Sequence, residues 1–141
     1  MAWVGDCRAY AWDGLTLRLL TRDHTVAEMM RAEGVAVHRS LEHVLSTSVR
    51  TAGREEIGAT WTDDPTSLML VSDGVHRAVG RGAIASIAGD GGPAELRAER
   101  LTAAATRAGT TDDATALVID TGTRSAPHAG RTTTIPRPRR A

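Results

Sequence analysis

Residues 67–74 of the chain read SLMLVSDG. Residues 68–71 form a short run that is apolar throughout, which is typical of a strand covered on both faces. The run ends at an Asp-Gly pair, where the backbone turns away. We therefore predict a buried strand over residues 67–72 that presents the carboxylate of Asp73 at the edge of a sheet. For an isolated Asp-Gly pair, a simple turn is the more common interpretation.

A hairpin is predicted near the start of the chain. Residues 3–12 read as strand interrupted by polar residues, and Asp13-Gly14 is a strong turn signal because both positions tolerate positive φ. Residues 15–20 then return antiparallel, with one face more apolar than the other. Two further strands are predicted at residues 44–49 and 57–61.

A short helix should follow the hairpin. Thr25 and Glu28 form a capping-box pattern, in which the Thr hydroxyl accepts an amide N–H and Glu reaches back to the cap. This pattern predicts a helix over residues 26–33, and Gly34 supplies the left-handed stop. The Asp23-His24 pair just before the helix is assigned to structure, through capping, packing or hydrogen bonding.

The helices gather late in the chain. Residues 81–88 are predicted as a short helix, Pro93 suits the first turn of a longer helix that ends at Gly109, and residues 114–120 form a last strand. The longer helix has an apolar stripe of Leu96, Leu101, Ala104, Ala105 and Ala108, opposite Arg97, Glu99, Arg100 and Arg107. Antiparallel strands with helices that cover sheet faces predict an α+β fold.

The charge of the chain is unevenly distributed. Its 141 residues suffice for one domain, and the formal net charge is zero. Residues 121–141 hold five Arg and no acidic residue, so residues 1–120 carry a net charge of −5. An acidic body argues against nucleic acid as a partner, because phosphate-backbone binding needs clustered Lys or Arg on a folded face.

The compartment is predicted from the cysteine content and the hydropathy pattern. Cys7 is the single cysteine, so neither an internal disulfide nor a thiolate metal cluster is expected. No stretch approaches the ~20 apolar residues needed to span a bilayer, and the N-terminus does not resemble a signal peptide. We expect a cytoplasmic protein without a membrane partner. All 17 basic residues are Arg and Phe is absent, which indicates high-GC, bacterial coding.

Four short motifs follow one another along the chain: GDCR at 5–8, TRDH at 21–24, SDG at 72–74 and DDAT at 112–115. In this order they resemble the second half of the metal-dependent Ser/Thr protein phosphatases (PPM, type 2C). The patterns of that family read Gly-Asp-Ser-Arg, Thr-x-Asp-His, Ser-Asp-Gly and Asp-Asn-x-Thr. Each motif alone is unspecific, whereas their joint order over roughly residues 3–120 is specific.

The resemblance implies a fold and a domain organisation. The fold would be part of an α-β-β-α sandwich of antiparallel sheets covered by helices. Residues 1–120 would form the C-terminal half of the phosphatase domain, and residues 121–141 would be a disordered, Arg-rich tail with nothing to bury.

The resemblance also implies metal ligands for Mg²⁺ or Mn²⁺. Asp73 and Asp112 match the ligand positions, and Asp6 matches a residue that contributes to a third, weaker metal site in bacterial members. Such hard cations prefer oxygen ligands and usually take one or two carboxylates, with water filling the remaining positions. Each of these residues also has a structural alternative. Asp112 could belong to a solvated acidic turn, and Asp6 could bond the nearby backbone at a bulge. Asp113 stands where the family has Asn, and Cys7 where it has Ser.

Two elements of the family's active site have no match in the sequence. The bridging metal ligand comes from an Asp-Gly-x-Gly-Gly motif near the start of the domain, and an upstream Arg holds the phosphate. No catalytic residue is therefore assigned in this chain, and we expect weak metal binding, little turnover, and an exposed apolar sheet face.

The implied function is that of a protein serine/threonine phosphatase, in which two metal ions and a bridging water hydrolyse phosphoserine or phosphothreonine. The expected partners are a phosphoprotein substrate or a Ser/Thr kinase, and a complementary N-terminal half. The alternative is a non-catalytic pseudophosphatase fragment that acts as a protein-binding module.

Overall fold

The computed structural model describes residues 1–63 and 65–122. Its elements in chain order are β1 (Ala2–Trp3), β2 (Arg8–Trp12), β3 (Leu17–Leu19), α1 (Val26–Ala32), β4 (Gly58–Ala59), β5 (Ser67–Val71), α2 (Asp73–His76), α3 (Arg81–Gly89), α4 (Ala94–Arg107) and β6 (Ala116–Asp120). Short 3-10 turns lie at Arg39–Leu41 and Arg54–Glu56. The mixture of helices and antiparallel sheets confirms the predicted α+β fold.

The main sheet has four antiparallel strands in the order β3-β2-β5-β6, so β5 lies in its interior. Tyr10 of β2 pairs with Met69 of β5, which in turn pairs with Val118 of β6. Because side chains alternate along a strand, these three point to the same face. All three are buried, and this face holds the core.

Helices α3 and α4 cover that face of the sheet. Ile84 of α3 and Leu101 and Ala105 of α4 are fully buried and pack in one cluster with Met69 and Val75. Full burial of an Ile, Leu, Met or Val side chain stabilises the fold by about 1.5–3 kcal/mol. Leu101 and Ala105 therefore fasten α4 against β6 and against α2, which begins at Asp73. Leu96 and Ala108, which were predicted in the same apolar stripe, are exposed, so that part of the prediction was wrong.

The opposite face of the sheet is apolar and partly open along β5 and β6, whereas Ala9 and Ala11 of β2 on the same face are buried. It carries Leu68 and Leu70 of β5, which are half-buried, and Leu117 and Ile119 of β6, which are 52% and 42% exposed. The prediction that β5 is covered on both faces was therefore wrong for the residues that the structure describes. The helices bury only one face of the sheet, although residues 68–71 place apolar side chains on both faces.

The hairpin and the first helix are confirmed. Gly14 has φ +102°, and Asp13 Oδ1 accepts the backbone N–H groups of Leu15 and Thr16, each at 2.8 Å. Thr25 caps α1 by accepting the N–H of Glu28 at 3.2 Å, and Gly34 takes a left-handed conformation after the helix.

Several strand boundaries were predicted incorrectly. Residues 3–12 divide between two sheets, since Gly5 has φ +101° and separates β1 from β2. Residues 44–49 form no strand, and only an isolated bridge joins Leu45 to Thr25. Of residues 57–61, only Gly58 and Ala59 pair, in a two-stranded sheet with β1. Branched apolar residues alone do not form a strand where no partner strand lies alongside.

Arg97 is the largest error in the helix predictions. It was assigned to the polar face of α4 but is 4% exposed. Its guanidinium donates to the carbonyls of Gly92 and Ala88, to Ser67 Oγ and to the carboxylate of Asp120. A buried Arg is tolerated when its donors are paired in this way.

The proposed domain boundary at residue 120 coincides with the end of β6 and stays a prediction. The predicted disordered tail, residues 121–141, lies outside the described residues except for its first two positions. Among the described helices, none combines the length and the apolar character needed to cross a membrane.

Candidate functional site

Asp73 lies where the central strand β5 gives way to α2. It is the first residue of that helix, and its Oδ1 accepts the backbone N–H of Gly74 at 2.9 Å. The side chain is about 30% exposed, so one edge of the carboxylate faces solvent. Asp73 was predicted at a sheet edge, and the structure places it just beyond the end of an interior strand.

The Ser-Asp-Gly and Asp-Asp-Ala-Thr motifs are joined by direct contacts. The N–H of Ser72 donates to the carbonyl of Thr115 at 3.0 Å, and the N–H of Thr115 donates to Ser72 Oγ at 2.9 Å. Ser72 Oγ in turn donates to the carbonyl of Asp113 at 3.0 Å. A Cβ at Gly74 would lie only 2.4 Å from that same carbonyl oxygen, so this position requires glycine. The motifs, 40 residues apart in sequence, thus form one unit.

Asp73 and Asp112 line the same cleft, which has a volume of about 570 Å³ and is open to solvent. Asp112 Oδ1 accepts the N–H of Asp113 at 2.8 Å, which directs the Asp112 side chain back along its own turn. The other lining residues are His43, Gly74, Arg77, Ala78 and residues 108–111. The structure therefore brings together two of the three predicted metal ligands.

The charges around Asp73 oppose its ionisation. Partial burial raises the pKa of Asp73 above its ordinary value, and the negative charges of Asp6 and Asp112 raise it further. The hydrogen bond from Gly74 acts in the opposite direction. The carboxylates of Asp6 and Asp112 thus both lie near enough to repel that of Asp73, and a positive charge beside Asp73 would relieve that repulsion.

Asp6 lies in the turn between β1 and β2 and forms an ion pair with Arg77. Arg77 Nη2 donates to Asp6 Oδ2 at 2.8 Å, with the side chains 24% and 16% exposed. The same nitrogen donates to the carbonyl of Glu42 at 2.9 Å, and Arg77 Nε lies 3.7 Å from Asp73 Oδ2. Arg77 therefore joins Asp6, Asp73 and the segment around Glu42. The role of Asp6 as a metal ligand stays a prediction.

His76 holds the turn at Asp6 through a hydrogen bond to its backbone. Its Nε2–H donates to the backbone carbonyl of Asp6 at 2.9 Å, whereas the buried Nδ1 has no hydrogen-bond partner among the described residues. Burial lowers the pKa of His76, and the charge of Arg8 lowers it further. The ring is thus held neutral, with its proton on Nε2.

Cys7 is not activated as a nucleophile. Burial raises the pKa of its thiol, and the nearby carboxylates of Asp6, Asp73 and Asp23 raise it further. A thiol in such acidic surroundings stays protonated at neutral pH and reacts slowly.

The Asp23-His24 pair serves the structure. Arg8 Nε and Nη2 donate to the two carboxylate oxygens of Asp23 at 3.0 and 2.8 Å, a bidentate pair that raises the pKa of Arg8. His24 Nδ1 accepts the N–H of Gly5 at 3.3 Å, and its ring stacks on Trp3. These contacts hold the β1–β2 turn that carries Asp6.

A hard divalent cation fits the chemistry of Asp73 and Asp112. Both offer carboxylate oxygens to one solvent-open cleft, and a cation there would offset the repulsion that raises the pKa of Asp73. Over residues 1–63 and 65–122, however, no group of three or more His, Cys, Asp and Glu side chains is arranged to hold a metal. The fit is therefore to one cation that keeps most of its water.

Sequence reasoning missed Arg77 and His76. His76 is the last residue of the short helix α2, which begins within the Ser-Asp-Gly motif, and Arg77 is the C-cap of that helix. Asp73 and Arg77 are four residues apart, the spacing at which helical side chains meet, so the ion pair was detectable in the sequence. The contact between Arg77 and Asp6, 71 residues away, was not.

Comparison with known proteins identifies the fold. No family model matches the sequence, and no curated protein matches it either. Solved structures do match. One is the Mycobacterium tuberculosis serine/threonine phosphatase PstP/Ppp, with 25% identity and a TM-score of 0.72; the match covers 84% of this chain and 53% of that chain. Another is the Mycobacterium smegmatis PPM Ser-Thr phosphatase MsPP in complex with cacodylate, with 26% identity and a TM-score of 0.70; the match covers 84% of this chain and 54% of that chain. The Staphylococcus aureus serine/threonine phosphatase Stp1 has 20% identity and a TM-score of 0.73, with 86% and 51% covered.

These matches confirm the resemblance found in the motifs. The chain has the fold of the C-terminal half of PPM-type bacterial Ser/Thr phosphatases. It spans about half the length of the solved structures that it matches.

Proposed function

We propose that this chain is part of a metal-dependent protein phosphatase domain that hydrolyses phosphoserine and phosphothreonine. The observation that carries the proposal is the contact between the Ser-Asp-Gly and Asp-Asp-Ala-Thr motifs, which brings Asp73 and Asp112 to one cleft. The fold around this cleft is that of Ser/Thr phosphatases.

Asp73 and Asp112 would hold the cation, Mg²⁺ or Mn²⁺. A bound cation of this kind supplies Lewis-acid stabilisation of phosphoryl charge and activates water. The chain's own residues prepare the position. The Gly74 N–H orients one oxygen of Asp73, and Ser72 ties the Asp73 turn to the Asp112 turn.

A complementary polypeptide is part of this proposal. The open sheet face carries Leu68, Leu70, Leu117 and Ile119, and a contiguous apolar surface of this kind marks a contact with another polypeptide. The chain also spans about half of the solved phosphatases. We propose that an N-terminal phosphatase half covers this face and completes the active site, and that a phosphoprotein substrate or a Ser/Thr kinase binds the complete domain.

The test is an assay of p-nitrophenyl phosphate hydrolysis with Mn²⁺. The 141-residue chain is assayed alone and together with a polypeptide that comprises the N-terminal half of a PPM-type phosphatase. We expect turnover in the mixture and little in the chain alone. Asp73→Asn should lower that turnover by about a hundredfold or more, the scale of losing one group that stabilises transition-state charge.

The matched control is Asp90→Asn, because Asp90 is an exposed carboxylate that pairs with Arg100 away from the cleft. It should leave turnover unchanged. No turnover with any N-terminal half, or equal turnover in Asp73→Asn and the wild type, would refute the proposed activity.

The second candidate is a non-catalytic module that binds a protein through the open sheet face. The exposure of Leu117 and Ile119 favours it, since this surface is available whether or not catalysis occurs. Binding of the N-terminal half without turnover, weakened by Leu117→Arg and unchanged by Asp73→Asn, would support this function over the first.

A further inference from the structure

We infer that the guanidinium of Arg77 takes the place of a metal cation between Asp6 and Asp73, so that Asp6 is an ion-pair partner and not a metal ligand in this chain. This arrangement rests on the contacts of Arg77 and holds whether or not the chain has phosphatase activity.

Arg77 is held between the two carboxylates by several contacts. Its Nη2 lies 2.8 Å from Asp6 Oδ2, and its Nε lies 3.7 Å from Asp73 Oδ2. The carbonyl of Glu42 accepts a further hydrogen bond from Nη2 at 2.9 Å. Contacts with three separate segments keep the guanidinium in place.

The position favours a positive charge. Arg77 Nη2 lies 2.8 Å from Asp6 Oδ2 and Arg77 Nε lies 3.7 Å from Asp73 Oδ2, so the two carboxylates flank the guanidinium. Both partners of the Asp6–Arg77 pair are mostly buried, which strengthens the attraction relative to an exposed pair. Removal of one partner from such a pair leaves an uncompensated charge.

A divalent cation on Asp6 would compete with this arrangement. It would lie beside a guanidinium that is permanently charged and already bonded to the same carboxylate. A cation between Asp6 and Asp73 requires that Arg77 leave, with the loss of its bonds to Asp6 and Glu42. The absence of any three-residue metal cluster among the described residues agrees with this reasoning.

The longer contact to Asp73 leaves that residue available. At 3.7 Å, Arg77 Nε is beyond hydrogen-bond distance of Asp73 Oδ2, and Asp73 also lines the cleft with Asp112. The cation position that remains is thus the one between Asp73 and Asp112.

The experiment is Mn²⁺ titration of the full chain by calorimetry, for the wild type, Asp6→Asn, Arg77→Met and the double variant. We expect Asp6→Asn to leave the Mn²⁺ affinity of the wild type within about twofold. Arg77→Met should gain a Mn²⁺ site or bind about tenfold more tightly, the scale on which a single supporting contact changes metal affinity. The double variant should lose that gain.

Arg100→Met is the matched control, since it also removes one positive charge but belongs to an exposed pair with Asp90. It should produce no gain. Should Arg77→Met be unfolded by circular dichroism, we expect Mn²⁺ to restore its helical signal by replacing the lost charge.

The inference is overturned if Asp6→Asn weakens Mn²⁺ binding of the wild type tenfold or more, which would make Asp6 a ligand. It is overturned equally if a folded Arg77→Met gains no affinity, if Arg100→Met gains as much, or if an unfolded Arg77→Met does not respond to Mn²⁺.

Discussion

Gly74→Ala should destabilise the fold by pushing the two acidic motifs apart. The added Cβ would lie 2.4 Å from the carbonyl oxygen of Asp113 and 2.9 Å from its carbon. An ordinary contact is about 3.5 Å, so the segment must shift by roughly 1 Å. Both atoms belong to backbone, and the oxygen also accepts the hydroxyl of Ser72, which prevents an easy adjustment.

The magnitude follows from three contributions. Overpacking of this kind costs about 1–3 kcal/mol, and a weakened hydrogen bond from Ser72 costs about 1 kcal/mol. Alanine in a helix recovers about 0.5–1 kcal/mol relative to glycine. The net loss is about 2 kcal/mol, which for a chain of this size lowers Tm by roughly 5–10 °C.

The assay is thermal unfolding by circular dichroism, with Gly82→Ala as the control. Gly82 lies in α3 and has no atom within 4 Å of the added Cβ, so the substitution should stabilise the protein slightly. Mn²⁺ affinity should fall in Gly74→Ala and not in Gly82→Ala, because only the first moves Asp112 relative to Asp73. A Gly74→Ala protein that unfolds at or above the wild-type temperature would refute the reasoning.

Three further predictions concern side chains around the core and the cleft. Arg97→Met should lower the free energy of unfolding in urea by about 1.5–3 kcal/mol because it removes charge-assisted bonds to buried acceptors, whereas Arg100→Met, at an exposed pair, should cost under about 1 kcal/mol. In EDTA, the free energy of unfolding should fall as pH drops below about 6.5, because His76 is protonated more readily in the unfolded chain than in the folded one. His76→Gln should flatten this part of the curve of stability against pH, and an unchanged curve would contradict the lowered pKa of His76. Asp112→Asn should weaken Mn²⁺ binding yet leave the metal-free protein as stable or more stable, since it removes a charge that repels Asp73.

The local features of the fold were readable from the sequence. The hairpin follows from Asp13-Gly14, since the turn needs positive φ at Gly14 and the Asp side chain bonds the backbone beyond it. The cap of α1 follows from Thr25 in the same way. Such signals involve residues within a few positions of each other, so no knowledge of distant contacts is needed.

The failures involve partners that are distant in sequence. Residues 44–49 have strand-like composition, but no strand lies beside them, so they stay irregular. Arg97 reads as a surface residue of α4 until Ser67 and Asp120 are found to surround it. One face of β5 is open because the described residues supply one layer of helices.

The motif order, and with it the fold and the acidic residues Asp6, Asp73 and Asp112, could be predicted from the sequence alone. Which of these acids share a cleft, and which one pairs with the Arg77 guanidinium, depends on the folded structure. Asp73 and Asp112 line one cleft because Ser72 bonds the second motif, and Asp6 pairs with Arg77, 71 residues away in the sequence. Residue types set what chemistry is available, whereas Coulomb interactions depend on distance, and distance between remote residues is set by packing.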